Sequence, residues 1–257
     1  MDYEQFKAQI YKLTHIDLNA YKERQMKRRI DALIAKHKFA DYSSYVSELH
    51  INSQLFEEFV NYLTINVSEF YRNPEQWKVL DQEMFPYLFD TFGKKLKIWS
   101  AACSTGDEPY SLVMALSKFV PLNNIHIIAT DIDKQVLEKA QVGLYNKKSL
   151  ANVPAQMIEK YFTKIGEQNY QISDAIKSCV EFKQHNLLCD PYISTCDMIV
   201  CRNVVIYFTD EAKSEIYSKF NQSLKKNGIL FVGSTEQIVG YRDSNYSSIR
   251  SFFYKKN

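Results

Sequence analysis

Three segments of this chain fall into one pattern, and together they restrict the fold more than any other feature. A strand-like run from Leu96 to Ala102 opens onto Cys103-Ser104-Thr105-Gly106-Asp107-Glu108-Pro109; another from Ile125 to Thr130 ends at Asp131; a third from Met198 to Cys201 ends at Arg202-Asn203. An open parallel α/β sheet binds its ligand outside the carboxyl ends of its strands, where successive connections leave in opposite directions and a crevice opens. Functional side chains are therefore expected just past these runs, and two of the three end in acidic groups.

Asp131 has the position and chemistry of the carboxylate that accepts ribose hydroxyls in nucleoside-binding sheets. The loop before it departs from a phosphate-binding fingerprint, since Ala101 to Thr105 are small but Gly106 is its one glycine. Asp107 and Glu108 fall in the first turn of the next predicted helix, where a pyrophosphate would otherwise rest on backbone N–H groups. Such a site repels phosphate and suits a cation. S-adenosylmethionine fits that requirement, with an ammonium, a sulfonium and no phosphate. A nucleotide-dependent oxidoreductase is disfavoured on the same ground.

With 257 residues, 46% of them hydrophobic, the chain can bury a large core. A net charge of +2 leaves no global field for nucleic acid, so any basic surface must be local. Five cysteines with no C-x-x-C pair read as reduced thiols rather than a disulfide framework. His185 and Cys189 stand four apart without a second pair, so no metal site is expected. No apolar leader or membrane-length run is present, and the expectation is a cytoplasmic protein without membrane insertion.

Residues 3 to about 64 show helical spacing only, over Tyr3 to His15, Tyr21 to His37, Ser43 to Leu49 and Ser53 to Leu63. The polar stretch Thr64 to Arg72 follows, and then Asn73-Pro74, which reads as a cap and a first-turn proline. From Leu96 strands and helices alternate: strand 96–102, helix 107–119, strand 125–130, helix 133–142, strands 180–185 and 197–201, helix 209–225, strand 228–233 and a terminal strand near 249–255. The rhythm predicts a mostly parallel sheet covered on both faces. It breaks between Gln141 and Ser178, where a short helix near Pro154 to Tyr161 and a small hairpin, about 160–180, are expected as an insertion. The domain boundary is placed at 72/73.

Four ordered motifs now stand out: Asn66-Val67-Ser68-Glu69-Phe70-Tyr71-Arg72, Trp99 to Ser111, Thr130-Asp131-Ile132-Asp133 and Cys201 to Phe208. In this order they resemble the CheR family, the chemoreceptor glutamate methyltransferases, and the resemblance runs over essentially the whole chain. It implies an α/β, Rossmann-like class I S-adenosylmethionine-dependent methyltransferase sheet with an all-helical N-terminal domain and a small inserted antiparallel β-subdomain. Carried over by motif, Asn66, Ser68 and Arg72 approach the cofactor, Glu108 holds its ammonium and Asp131 its ribose, and Asn186-Leu187 and Asn203-Val204 flank the adenine and methionyl parts. Ser68 stands where many relatives have Thr, and Asp107 where Glu is frequent. The implied partners are the cytoplasmic methylation helices of transmembrane chemoreceptors, at receptor arrays, approached by a monomer. Some relatives capture a receptor tail on the inserted sheet through a glycine-containing loop; here Gly166 alone is present, so direct binding to the methylation region is expected.

A glutamate carboxylate is ionised near neutral pH and needs no general base to act as a nucleophile. Arg72, with five fixed donors, is the candidate clamp on the substrate carboxylate. Tyr207 is the candidate that orients the incoming oxygen, with Phe70, Tyr71 and Phe208 as further walls of a dry site. Each reading has a rival: Asp131 as the N-cap of helix 133–142, Glu108 as dipole compensation, Arg72 as a surface arginine, Tyr207 as core, Asn203 as a turn residue. Between Ala20 and Lys38 the chain carries Lys22, Arg24, Lys27, Arg28, Arg29, Lys36 and Lys38 around a buried stripe of Met26, Ile30, Leu33 and Ile34. A solvated face is the ordinary meaning of such charges, but Arg24, Lys27, Arg28 and Arg29 also suit an acidic protein substrate, and no nucleic-acid-reading motif accompanies them. Two other classes remain open at this stage: an RNA or small-molecule methyltransferase on the same fold, and a non-catalytic docking module that senses S-adenosylmethionine.

Overall fold

The computed structural model describes residues 1–240, 242 and 244–257. Its backbone contacts divide into two compact units, residues 1–66 with 205–216, and residues 67–204 with 217–257.

The first unit is built on α1 (Tyr3–Thr14), α2 (Glu23–Lys36), α3 (Tyr42–Leu49) and α4 (Ser53–Thr64). Side chains cap the starts of α1, α3 and α4, while that of α2 has no side-chain cap. Asp2 and Asp41 form reciprocal capping boxes with Gln5 and Ser44, and Asn52 accepts the N–H of Leu55. The expected stripe of α2, Met26, Ile30, Leu33 and Ile34, is buried, and Phe6, Tyr45 and Phe59 pack as fully buried rings against one another. The 205–209 segment hooks onto this unit: the Lys22 N–H donates to the Tyr207 carbonyl at 2.9 Å, the Thr209 N–H donates to the Ala20 carbonyl at 2.8 Å, and the Tyr21 and Phe208 rings meet at 4.7 Å. Tyr207 is thereby fixed beside the start of α2.

In the second unit α5 (Pro74–Val79), a π-turn (Leu80–Met84) and α6 (Phe85–Phe92) lead to β1 (Ile98–Ala101). Then follow α7 (Asp107–Leu116), β2 (Ile127–Asp131), α8 (Lys134–Val142), β3 (Leu144–Asn146), α9 (Ala155–Tyr161), β4 (Phe162–Ile165), β5 (Asn169–Ile172), α10 (Asp174–Lys177), β6 (Val180–Gln184) and β7 (Cys196–Cys201). The chain ends with α11 (Asp210–Ser223), β8 (Leu224–Val232), β9 (Tyr246–Arg250) and β10 (Phe253–Lys256). The main sheet runs β6-β2-β1-β7-β8-β10-β9, parallel from β6 to β8 and antiparallel beyond. Every residue of β1, β2 and β7 is buried, as a sheet covered on both faces requires. Trp99 is fully buried in it, donating from Nε1 to Thr130 Oγ1 at 2.9 Å and meeting His185, Tyr192 and Phe220 edge to face.

The expected alternation is present, with three differences. The insertion is a three-stranded antiparallel sheet, β3-β5-β4, that begins earlier than expected, at Leu144. The terminal strand is a pair, β9 and β10, because Phe252 takes a left-handed φ of 71° and reverses the chain without a glycine to signal the turn. Asn73 makes no capping bond to α5; its side-chain oxygen is taken by Arg202 at 3.0 Å.

Gly106 shows why the loop after β1 carries its glycine. Its φ is +87°, and a Cβ there would lie 2.9 Å from Ala140 Cβ, 3.1 Å from Tyr110 Cε2 and 3.2 Å from the Tyr145 hydroxyl. Gly106→Ala is expected to lower stability by about 2 kcal/mol or more, from backbone strain and overpacking together, read as a fall in denaturation midpoint. An unchanged midpoint would contradict this account of the loop.

Candidate cofactor and methyl-transfer site

At the carboxyl ends of β1, β2 and β7 the loops converge on buried carboxylates. The residues just past β1 are held in left-handed conformations, with φ of 59° at Ala102, 50° at Ser104 and 87° at Gly106, so the chain turns tightly into α7. Asp131, 5% exposed at the end of β2, accepts the Ser104 N–H on Oδ2 at 2.8 Å and the Asp133 N–H on Oδ1 at 3.0 Å. It is not the cap of α8; Asp133 is, through the N–H of Gln135. Burial pushes the Asp131 carboxyl up to about 6, against the opposing pull of those N–H donors.

Glu108, in the first turn of α7, accepts from Ser100 Oγ at 2.9 Å and lies 3.5 Å from Nη1 of Arg202. Burial raises its pKa, and the guanidinium opposes the rise. Asp107 faces elsewhere: its carboxylate takes the hydroxyls of Thr105, at 2.6 Å, and of Ser68, and its pKa is also raised by burial. Ser68 is thus tied to the start of α7. Ser111 continues the tie, accepting the Tyr71 N–H on Oγ at 3.1 Å.

Arg202 is the organising cation. Its Nη2 donates to the Arg72 carbonyl at 2.7 Å, to Asn73 Oδ1 and to Gln76 Oε1 at 2.7 Å, while the guanidinium stacks 4.8 Å from the Phe231 ring centre. The side chain of Arg72 is half-buried and reaches back to the Val67 carbonyl at 3.3 Å. Beyond β7, Asn203 has a φ of 62°, and both carboxylate oxygens of buried Glu236 are engaged there. They take the N–H groups of Asn203 at 2.5 Å, Val204 at 2.7 Å and Gly233 at 2.8 Å. At the end of β6 the His185 N–H donates to the Asp131 carbonyl, Asn186 Oδ1 accepts the Leu188 N–H, and Leu187 is buried.

Ser68, Arg72, Glu108, Asp131, Asn186, Leu187, Asn203 and Val204 all belong to the second unit, and Glu108 and Asp131 both act on the buried thiols of Cys103 and Cys201. Asn66 and Tyr207 belong to the first unit, where Asn66 Nδ2 donates to Thr64 Oγ1. The basic residues of α2 separate by face. Arg28 and Arg29 join Lys22, Gln25, Met26, Ile65 and Tyr207 around a cavity of about 170 Å³, whereas Lys27 pairs with Asp31 and lies over the Tyr3 and Tyr42 rings. Arg29 is partly structural, donating to the Tyr62 carbonyl at 2.5 Å; Arg24 is exposed. Phe70 and Tyr71 do not form walls of a reaction site. Both are buried in core packing, Phe70 against Tyr145 and Phe162, and Tyr71 against Trp77. Sequence reasoning missed Arg202 and Glu236 as anchors; a charge directly continuing the apolar run of β7, and an acid three residues past Gly233, were the available signals.

The donor set suits a cationic nucleoside without phosphate. Asp131 and Glu108 put negative charge at the strand ends, Ser104 Oγ is buried with no hydrogen-bond partner, and the loop from 102 to 108 carries no basic residue of its own, Arg202 reaching Glu108 from the end of β7. Cys103 is buried and its thiol pushed well up by that burial, which leaves it inert. Among the described residues, no group of three or more His, Cys, Asp or Glu is arranged to hold a metal ion. No helix among them is long and apolar enough to cross a membrane.

A carboxyl whose folded pKa lies above its unfolded value stabilises the fold at low pH and loses that contribution as pH rises through the folded value. For Asp131 the window runs from 3.8 to about 6. Relative to Asp131→Asn, the unliganded wild type should gain up to about 3 kcal/mol of stability as pH falls from neutral through that window, measured by denaturant melts. A difference between the two proteins that does not vary with pH would contradict the assigned burial.

Comparisons with known proteins agree with this geometry. Residues 1–64 match the family model described as CheR methyltransferase, all-alpha domain, and residues 66–252 that described as CheR methyltransferase, SAM binding domain. A chemotaxis protein methyltransferase of Listeria monocytogenes is 39% identical over 255 residues, covering 99% of this chain and 97% of that protein. One from Borreliella burgdorferi is 31% identical, covering 96% and 91%, and chemotaxis protein methyltransferase 1 of Pseudomonas aeruginosa is 33% identical, covering 94% and 92%. With residues 1–64 and 66–252 matched, and carboxylates at the strand ends that suit the cofactor, the chain belongs to the CheR methyltransferase family and is an S-adenosylmethionine-dependent methyltransferase.

Proposed function

We propose that this methyltransferase esterifies glutamate side chains on the cytoplasmic methylation helices of chemoreceptors, acting as a monomer at the receptor arrays. The observation that carries the reading is the cavity of the first unit, which Lys22, Arg28 and Arg29 line together with Tyr207 and to which no acidic residue contributes. A carboxylate-bearing helix complements that lining; a phosphate-rich polymer would need a wider basic field than a net charge of +2 supplies.

S-adenosylmethionine, when bound, supplies a methyl group on a positively charged sulfur. Glu108 would hold its ammonium and Asp131 its ribose hydroxyls, with Asn66, Ser68, Asn186, Leu187, Asn203 and Val204 shaping the remainder of the site. A glutamate acceptor is already ionised near neutral pH, so no side chain needs to remove a proton from it. The work left to the chain is orientation and exclusion of water. Arg72 would steer the acceptor carboxylate with its fixed fork of donors, and the Tyr207 hydroxyl would donate to the oxygen that does not react. The exposed basic side of α2, Arg24 and Arg28 above all, would raise the rate of encounter with an acidic helix, an effect that salt should erode.

Incubation with receptor membranes and methyl-labelled cofactor is expected to give label released as methanol by mild base, the behaviour of a carboxyl ester; base-stable label would overturn the assignment. Arg28→Glu should raise the KM for receptor at least about fivefold at low salt and leave affinity for S-adenosylhomocysteine unchanged. Equal KM values would remove the cavity from substrate binding.

A further inference from the structure

Arg202 lies between two parts of the site that the sequence treats as separate. One side of its guanidinium faces the Glu108 carboxylate at 3.5 Å; the other side holds the Arg72 carbonyl, Asn73 and Gln76. Arg202 is 7% exposed, its Nε is buried without a partner, and Phe231 covers the face of the ion. A cation this deeply placed is costly unless its neighbours need it. We propose that Arg202 is a positioning residue with two separable tasks: its charge keeps Glu108 in the anionic form that receives the cofactor ammonium, and its fork of donors sets the backbone from which Arg72 projects. This rests on the readings of Glu108 and Arg72 given above.

The electrostatics around Glu108 define the first task. Ser100 faces it from β1, Arg202 from the end of β7, and Glu236 from beyond β8, with the buried thiols of Cys103 and Cys201 also near. Burial and Glu236 both favour the protonated acid; Arg202 and the Ser100 hydroxyl oppose them. Removing the guanidinium charge leaves Glu108 with one neutral donor against two effects that raise its pKa. The second task depends on shape. A lysine preserves charge but cannot span three acceptors on one side and a carboxylate on the other.

Three variants separate the tasks, read by calorimetric affinity for S-adenosylhomocysteine from about pH 6 to about pH 9, and by kcat on receptor membranes. Arg202→Lys should bind within about threefold of wild type at neutral pH while kcat falls at least about tenfold. Arg202→Met should lose at least about tenfold in affinity at neutral pH and recover it toward pH 9, as Glu108 gives up its proton, by up to tenfold per unit. Gln76→Leu leaves the arginine in place and removes one acceptor, so kcat should fall with affinity unchanged. Parallel losses of affinity and kcat in both Arg202 variants, without pH dependence, would reduce Arg202 to a structural role and overturn the proposal. An unchanged kcat in Gln76→Leu would overturn its second half. Arg72→Ala is the control for the reading beneath it: undiminished kcat there removes Arg72 from transfer, while the pH profile of Arg202→Met still decides the first half.

Discussion

The buried contact between Glu108 and Arg202 is the constraint around which the second unit is organised. It joins the first turn of α7 to the end of β7 and, through the other side of the guanidinium, to the segment from Arg72 to Gln76. A buried ion pair is weak evidence of stability, because desolvation offsets much of the Coulombic gain. Its worth here lies in geometry and charge. Glu108 and the buried Asp107, Asp131, Asp133 and Glu236 supply carboxylates near the carboxyl ends of the strands, against the buried guanidinium of Arg202. That surplus of negative charge is what a cationic ligand can relieve and a phosphate cannot.

Holding such a surplus out of water is expensive, and the loops show how the cost is spread. Asp131 is satisfied by two backbone N–H groups, Glu236 by three, and Asp107 by two hydroxyls. Each of these bonds also fixes a turn: Ser104 in a left-handed conformation, Asn203 in another, and Ser68 against α7. The same contacts that make buried charge tolerable therefore preorganise the residues proposed to meet the cofactor.

What could be read from the sequence was what short-range patterning controls. The stripe of Met26, Ile30, Leu33 and Ile34, the glycine needed at 106 and the acids following β1 and β2 all follow from spacing within one or two elements. The pairings across the sheet did not. Arg202 and Glu108 lie far apart in the chain, and an arginine at a strand end carries no local sign of the partner it will find. Asn73 shows the same limit: before a proline it has every mark of a cap, yet a distant guanidinium takes its oxygen. Phe70 and Tyr71 looked available to a reaction site because they stand beside Arg72, while tertiary packing sends both into the core. Strand β3 escaped notice at three residues, too short for an alternation to register.

The role proposed for Glu108 is to read the positive charge of the cofactor's amino acid end. It is tested most directly by comparing S-adenosylhomocysteine with 5′-methylthioadenosine, which keeps the nucleoside and lacks the ammonium, in wild type and in Glu108→Gln by titration calorimetry. Wild type should prefer S-adenosylhomocysteine by at least about tenfold, and the substitution should remove most of this preference while leaving the affinity for 5′-methylthioadenosine nearly unchanged. An equal preference in both proteins would contradict it.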